Sequence, residues 1–186
     1  MSDEKRVSIH TLRSLLSASA ATGKLWWRAR GPEWFPADDR IGPIARSEIW
    51  NSRYAGKEAF VTPNRGYLMG QIFGKTYAAH RVLWAIQFGA WPEEEIDHIN
   101  GNRSDNRSCN LREASRAQNQ HNVGRRSDNI SGFKGVSWDA RHLAWKARIS
   151  HQGKTVQLGR HPSREAAYAA YCEAARQLHA DFARLA

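Results

Sequence analysis

Residues 96–122 read IDHINGNRSDNRSCNLREASRAQNQHN, a stretch dense in amides and turn formers and thin in apolar side chains. Its order becomes legible at a helix signal. Ser115-Arg116-Ala117-Gln118 fits a capping box, in which Ser115 caps the helix and Gln118 reaches back. The pattern predicts a helix from Arg116 through Asn122. Upstream, residues 95–99 suit a strand, 100–109 a looped excursion, and 111–114 a returning strand. Within the loop, Asn100-Gly101 and Asp105-Asn106 read as turn formers. In this strand, loop, strand, helix order, Asp97 and His98 can face Asn119 on the helix. That requires a distorted strand, since neighbouring strand residues otherwise point to opposite faces.

Such a set suits phosphodiester cleavage, which needs a base to activate water and an electropositive centre to stabilise the leaving oxygen. A carboxylate and an amide oxygen, from Asp97 and Asn119, make a sparse oxygen-donor site suited to Mg2+ or Mn2+, with waters and phosphate oxygens filling the other positions. His98 is the natural base, because an imidazole titrates near neutrality. Asn110 could hold the His98 ring or brace the loop through its side-chain amide.

At these residues the segment resembles the ββα-metal motif of HNH endonucleases, specifically the phage and intron-associated homing branch. The family pattern is Asp-His, then Asn-Gly-Asn, a run of Asp and Asn, Asn-Leu, and an Asn on the helix. It is matched by Asp97-His98, Asn100-Gly101-Asn102, Asp105-Asn106, Asn110-Leu111 and Asn119. The resemblance implies a DNA phosphodiester hydrolase with His98 as general base, Asn110 as the orienting catalytic residue, and Asp97 and Asn119 as ligands of a divalent Mg2+ or Mn2+. Asn119 stands where the family name has a histidine. His121 is the rival ligand, but at about 100° per residue it lies roughly 200° round the helix from Asn119, so both cannot point at one ion. His80-Arg81 also recurs before a helix in this family. It reads either as a packing histidine or as a phosphate contact through Arg81.

The rest of the chain agrees with a polyanionic partner. Its 186 residues carry a formal charge of +10, and the apolar fraction of 41% is that of a folded protein. A basic surface favours nucleic acid over a neutral metabolite, with an acidic membrane surface the weaker candidate, and the family resemblance implies double-stranded DNA. No apolar run approaches a bilayer span, and MSDEKRVS lacks the apolar core of a signal peptide, so the expected compartment is the cytoplasm. Cys109 and Cys172 form no CxxC pair and read as reduced thiols without a catalytic role.

Ahead of the quoted segment, residues 9–16 suggest a short amphipathic helix, and Thr22-Gly23 a turn into a strand. Residues 31–64 read as irregular, interrupted by Pro32, Pro36, Pro43 and Pro63. Residues 67–72 and 76–79 resemble two strands, followed by a helix through Val82, Leu83, Ile86 and Phe88 that Gly89 and Pro92 stop. Beyond it, GRRSDNISG has the content of a linker carrying the basic pair Arg125-Arg126. Three short strand-like runs follow, then a long helix capped by Ser163 with Ala166, Ala170, Ala174 and Leu178 on one side.

From 131 to 182, GVSW, WKARI, LGRH and AAYAAYCEAARQLH resemble an AP2 DNA-binding domain, a fold that lays its sheet in the major groove. Strand alternation assigns Trp145, Ala147 and Ile149 to the helix side. Lys146, Arg148 and Ser150 then occupy the open face, joined by Lys134, Ser137, Thr155 and Gln157. Basic groups there can meet phosphates, while Arg148 and Gln157 could read guanine and adenine edges.

The expected class is α+β: a ββα-metal module followed by a small three-stranded antiparallel sheet with a helix. The expected organisation is a lead-in region over 1–66, the HNH nuclease domain over 67–123, a linker over 124–130 and the AP2-like domain over 131–186. The leading function is a metal-dependent homing endonuclease that cuts DNA at a site chosen by its C-terminal domain. The alternative is a non-cleaving AP2-type regulator.

Overall fold

A computed structural model describes residues 6–36, 40–125, 127–183 and 185. These residues form a mixed α/β chain of small antiparallel sheets. By contacts the chain divides into two compact units, Met1–Arg112 and Glu113–Ala186.

The first unit begins with α1 (Ile9–Leu15), where Ser8 Oγ accepts a hydrogen bond from the Thr11 N–H and Leu12 and Leu15 are buried. This helix runs directly into β1 (Leu16–Ser19), which pairs with β2 (Lys24–Trp27), and β3 (Glu58–Ala59) completes a sheet of order β1-β2-β3. The expected turn at Thr22-Gly23 is therefore the tip of a hairpin.

The expectation of an irregular stretch over 31–64 is corrected by α2 (Pro43–Tyr54), a helix of 12 residues. Pro43 sits in its first turn, where the missing N–H has no intrahelical partner to lose, so this proline starts the helix instead of breaking it. A second sheet joins β4 (Thr62–Asn64), β5 (Tyr67–Ile72) and β6 (Lys75–Ala78), as expected for the last two. The helix α3 (Ala79–Phe88) follows and ends at Gly89, whose φ of 76° is the left-handed cap.

One core ties these elements together. Leu12, Leu15, Leu16, Leu25 and Phe60 from the lead-in region pack with Ile72, Val82, Leu83 and Ala85 from β5 and α3. Each buried leucine contributes about 1.5–3 kcal/mol of transfer free energy, so residues 9–60 are part of the same folded body as the β5-β6-α3 segment. Beyond α3, β7 (Glu95–His98) pairs with β8 (Leu111–Ala114).

In the second unit, α4 (Arg116–His121) carries both halves of the expected capping box: Ser115 Oγ accepts from Gln118 N, and Gln118 Oε1 accepts from Ser115 N. The sheet has the order β11-β10-β9, from β9 (Val136–Asp139), β10 (Ala144–His151) and β11 (Lys154–His161), and α5 (Arg164–His179) covers one face. Ala147 and Ile149 are buried on the helix side as alternation required.

The helix face is displaced by one residue from the expected one. Ala167, Tyr171, Ala175 and His179 are buried, and Ala166, Ala170, Ala174 and Leu178 flank them. Alanines recur in both rows, so composition alone does not choose between them. The Tyr171 ring does, by lying so close to Gly135 that a Cβ there would sit 2.2 Å from it. Among the described residues no helix is long and apolar enough to cross a membrane.

Candidate active site

The short strand β7 is covered on both sides: Asp97 is 3% and His98 4% exposed. The Asp97 carboxylate is held by Arg112 on β8, whose Nε donates to Oδ2 at 2.8 Å with Nη2 2.7 Å from the same oxygen.

His98 Nε2 lies 3.0 Å from Asn106 Oδ1. With the amide oxygen as acceptor, this contact corresponds to the tautomer protonated at Nε2, with the imidazole lone pair on Nδ1. Asn106 was expected to be a turn former. It is 2% exposed and contacts the His98 ring. Asn110 does the other of its two expected jobs. Its Oδ1 accepts from Asn100 N at 2.9 Å, and its Nδ2 donates to the Asp105 carbonyl at 2.7 Å, so it braces the loop.

Other loop amides build turns as expected. Gly101 N donates to the His98 carbonyl with φ at 71°, Asn100 Oδ1 accepts from Asn102 N, and Asn102 Oδ1 accepts from Ser104 N. Asp105 takes three bonds from Arg107, one of them from its backbone N–H, and one from Asn100, and Arg107 holds its carboxyl down at about 2. The loop also rests on the first hairpin: Ser108 N donates to the Ala20 carbonyl at 2.9 Å. At the hairpin tip Gly23 has φ of 69°, and a Cβ there would lie 2.4 Å from the Asn106 carbonyl carbon. Only glycine fits both the conformation and the approach.

Behind the base sits a second imidazole. His80 at the start of α3 is 7% exposed, and its ring meets the His98 ring edge-on at 5.1 Å. Burial, together with His98 and Arg81, lowers the His80 pKa to about 3, and its buried Nδ1 has no hydrogen-bond partner. Tyr67 packs against both rings, and the Arg103 guanidinium lies 4.9 Å over Tyr67. Burial also lowers the His98 pKa, against the opposing pull of the Asn106 hydrogen bond and the Asp97 and Asp105 charges. The lowered pKa favours the neutral imidazole near neutral pH. Of these residues the sequence reading missed Tyr67, Asn106 and Arg112. The Leu-Arg step at Leu111-Arg112 was a usable signal, since a strand arginine paired with the Asp97 strand is the natural counter-charge.

Arg81 donates to the carbonyls of Pro92 at 2.9 Å and Glu94 at 2.9 Å, which makes it a clamp on the turn after α3. Asn119 lies on α4 in the second unit, and its assignment as a ligand rests on the sequence pattern. His121 is committed elsewhere: its ring stacks on His179 at 3.6 Å, and its carbonyl accepts from Lys134 Nζ at 2.7 Å. Arg125 donates to the Asn129 carbonyl at 2.8 Å. Arg126 lies outside the described residues.

On the sheet, Ser137, Lys146, Arg148, Ser150, Thr155 and Gln157 share the face away from α5, with Lys146 opposite Ser137, Arg148 opposite Gln157, and Ser150 opposite Thr155. A register shift between Lys146 and Arg148 adds Arg160 to that face, opposite Lys146. Simple alternation from Gln157 would have placed Arg160 on the other side.

As donors, one carboxylate and one amide oxygen fit a hard divalent ion. Among the described residues no group of three or more His, Cys, Asp or Glu side chains stands together for a metal, which leaves any remaining positions to water and phosphate oxygens.

The chain is similar to known proteins in this region. The family model described as HNH endonuclease matches residues 77–121. Protein 3.8 of Escherichia phage T7 is 32% identical over 113 residues, which cover 60% of this chain and 93% of that protein. A solved structure of DNA binding and cleavage by the HNH homing endonuclease I-HmuI aligns with 90% of this chain and 81% of that one, at 22% identity and a TM-score of 0.39. The HNH match contains Asp97, His98, Asn106 and Arg112, and the phage relative is spanned almost end to end, so this chain belongs to the HNH endonuclease family.

Proposed function

We propose that the protein is a metal-dependent DNA endonuclease of the homing type, cutting where its C-terminal sheet, an AP2-like reader, holds the duplex. The observation that carries the nuclease chemistry is His98: buried, neutral, and oriented by Asn106 so that its lone pair is on Nδ1. In this mechanism His98 Nδ1 takes a proton from water, the water oxygen attacks the scissile phosphorus, and the bond to the 3′ oxygen breaks. Asn106 fixes the imidazole tautomer, Arg112 holds the Asp97 carboxylate in place, and Arg103 offers positive charge near the base. A divalent ion, Mg2+ or Mn2+, held by Asp97 and, from the sequence pattern, Asn119, would supply Lewis-acid stabilisation of the leaving oxygen.

Sequence selection is assigned to the open sheet face. Lys146, Arg148 and Arg160 supply charge, while Ser137, Ser150, Thr155 and Gln157 supply donors and acceptors for base edges and phosphates. The linker residues Arg125 and Arg126 add sequence-independent attraction.

Purified native protein and His98→Ala are incubated with supercoiled plasmid and phage DNA, with magnesium or manganese and with EDTA. Metal-dependent cutting by the native chain, lowered about 100-fold or more in His98→Ala, is expected for loss of a general base. Retarded DNA that is never cut, under any of the metals, supports the non-cleaving regulator and overturns the enzyme reading.

A further inference from the structure

The first unit contains a cavity of about 620 Å³ away from His98, between β2, β5 and α2. Its size is that of small-ligand sites, which run from about 300 to 1,000 Å³. The walls are aromatic: Trp27, Trp50, Tyr54, Phe60 and Phe73 line it together with Arg30. Trp27 meets Trp50 edge-on at 5.7 Å, and Trp50 packs on Tyr54 at 5.2 Å. Phe60 forms the buried floor with a φ of 60°, rare for a side chain of that bulk. Gly70 makes room for it, since a Cβ there would lie 2.6 Å from the Phe60 ring.

Arg30 is the unusual member. Its guanidinium carbon lies 3.9 Å from the Trp50 ring centre and 5.0 Å from that of Trp27. The Asn51 side chain pins its backbone, donating to the Arg30 carbonyl at 2.9 Å and accepting from the Arg30 N–H at 2.8 Å. Its Nε is buried with no hydrogen-bond partner. Glu58, the carboxylate on the lining, is engaged by Lys24 at 2.7 Å. A cation held against Trp27 and Trp50 thus lines an aromatic pocket whose outer rings are open, Tyr54 at 39% and Phe73 at 55% exposure.

We infer that this pocket receives one unpaired nucleotide of a nucleic-acid strand, its base against the open faces of Tyr54 and Phe73 and its phosphate oxygens toward Arg30. The combination matches the way single strands are held, by aromatic faces for bases and cationic groups for the backbone. The chain's net charge of +10 favours the same class of partner. A neutral apolar ligand would leave the Arg30 charge unmatched, and a free carboxylate would leave the open rings unused. The pocket extends the proposed function, because a nuclease that also holds an extruded or single-stranded nucleotide gains a second grip on its substrate.

The test uses the full chain carrying His98→Ala, in EDTA, so that nothing is cut. Fluorescence anisotropy compares a labelled octathymidylate with an abasic octamer of the same charge. The intact strand is expected to bind about fivefold tighter or more, the scale of one base–aromatic stack; Tyr54→Ala should erase most of that advantage, whereas Arg30→Gln should weaken both strands alike. Equal binding of the two strands, or an advantage that survives Tyr54→Ala, overturns the pocket. Tyr54 is exposed enough for its variant to fold even where Arg30→Gln does not. Plasmid cutting by the native protein is scored separately. Cutting with no preference for bases sinks only the pocket, and a base preference without cutting sinks only the nuclease reading.

Discussion

Two nitrogens of Arg112 converge on a single oxygen of Asp97, with Nη2 at 2.7 Å and Nε at 2.8 Å from Oδ2. The pair is enclosed, with side-chain exposures of 17% and 4%. Removing one partner of a buried pair leaves the other charge uncompensated, at a cost of about 3–5 kcal/mol. Arg112→Met is therefore expected to lower the unfolding free energy read from urea titration by that amount and to lose cutting, while Arg112→Lys loses less. An unfolding free energy that changes by less than about 1 kcal/mol, the worth of an exposed pair, shows that the contact does not hold the site.

Asn106 and Asn110 separate orientation from bracing. Asn106→Ala removes the acceptor at His98 Nε2 while leaving the loop bonds of Asn110, so kcat should fall about tenfold, the equivalent of one hydrogen bond of roughly 1.4 kcal/mol, with KM little changed. Asn110→Ala breaks two loop bonds and should act first on stability. Single-turnover cleavage beside thermal melts reads both, and equal effects of the two variants on kcat contradict the division.

Gly23 supports the site from a distance. A side chain at φ of 69° is strained, and its Cβ would meet the backbone at Asn106 and Arg107. Gly23→Ala should cost about 1–3 kcal/mol from conformation alone, more with the clash, and should reduce cutting through the displaced Asn106. Calorimetry with a cleavage assay checks it. An unchanged melting temperature would show that the hairpin yields freely.

His80 makes the fold acid-sensitive. Its folded pKa is lowered to about 3, chiefly by burial, whereas an unfolded histidine titrates near about 6.5. Between these values the unfolded chain binds a proton that the folded chain does not, so this group's contribution to stability is lost progressively as pH falls from about 6.5 toward about 3. His80→Phe is expected to flatten that slope. Urea unfolding at pH 7 and pH 4.5 compares the two proteins, and identical slopes would mean that His80 is protonated in the fold.

Arg148 tests the sheet face. It is exposed opposite Gln157, so Arg148→Ala should weaken duplex binding and reduce the salt slope by about one if it meets a phosphate. If it reads a guanine, specificity relaxes at one position with a loss of about 1–3 kcal/mol. Unaltered binding at all salt concentrations removes Arg148 from the interface.

What the sequence determined by itself was mostly local. The Ser115–Gln118 capping box, the Gly89 stop, the hairpin strands of residues 67–79 and the alternation that buries Ala147 and Ile149 all depend on neighbours a few residues apart. The Asp97-His98 step and its asparagines likewise marked the segment that the HNH endonuclease model matches. Helix α2 was hidden because a proline reads as a break unless it is seen to occupy a first turn.

The tertiary structure decided what distance in the chain conceals. Which asparagine reaches His98 depends on how the loop folds back, and Asn106 and Asn110 are chemically identical until the Asn110 amide is seen tied to Asn100 and Asp105. The Arg112 counter-charge on Asp97 depends on strand pairing, the Gly23 support on a hairpin some eighty residues upstream, and the place of Arg160 on a one-residue register shift. Periodicity fixes which way a side chain points from its own element. Only packing fixes what it meets there.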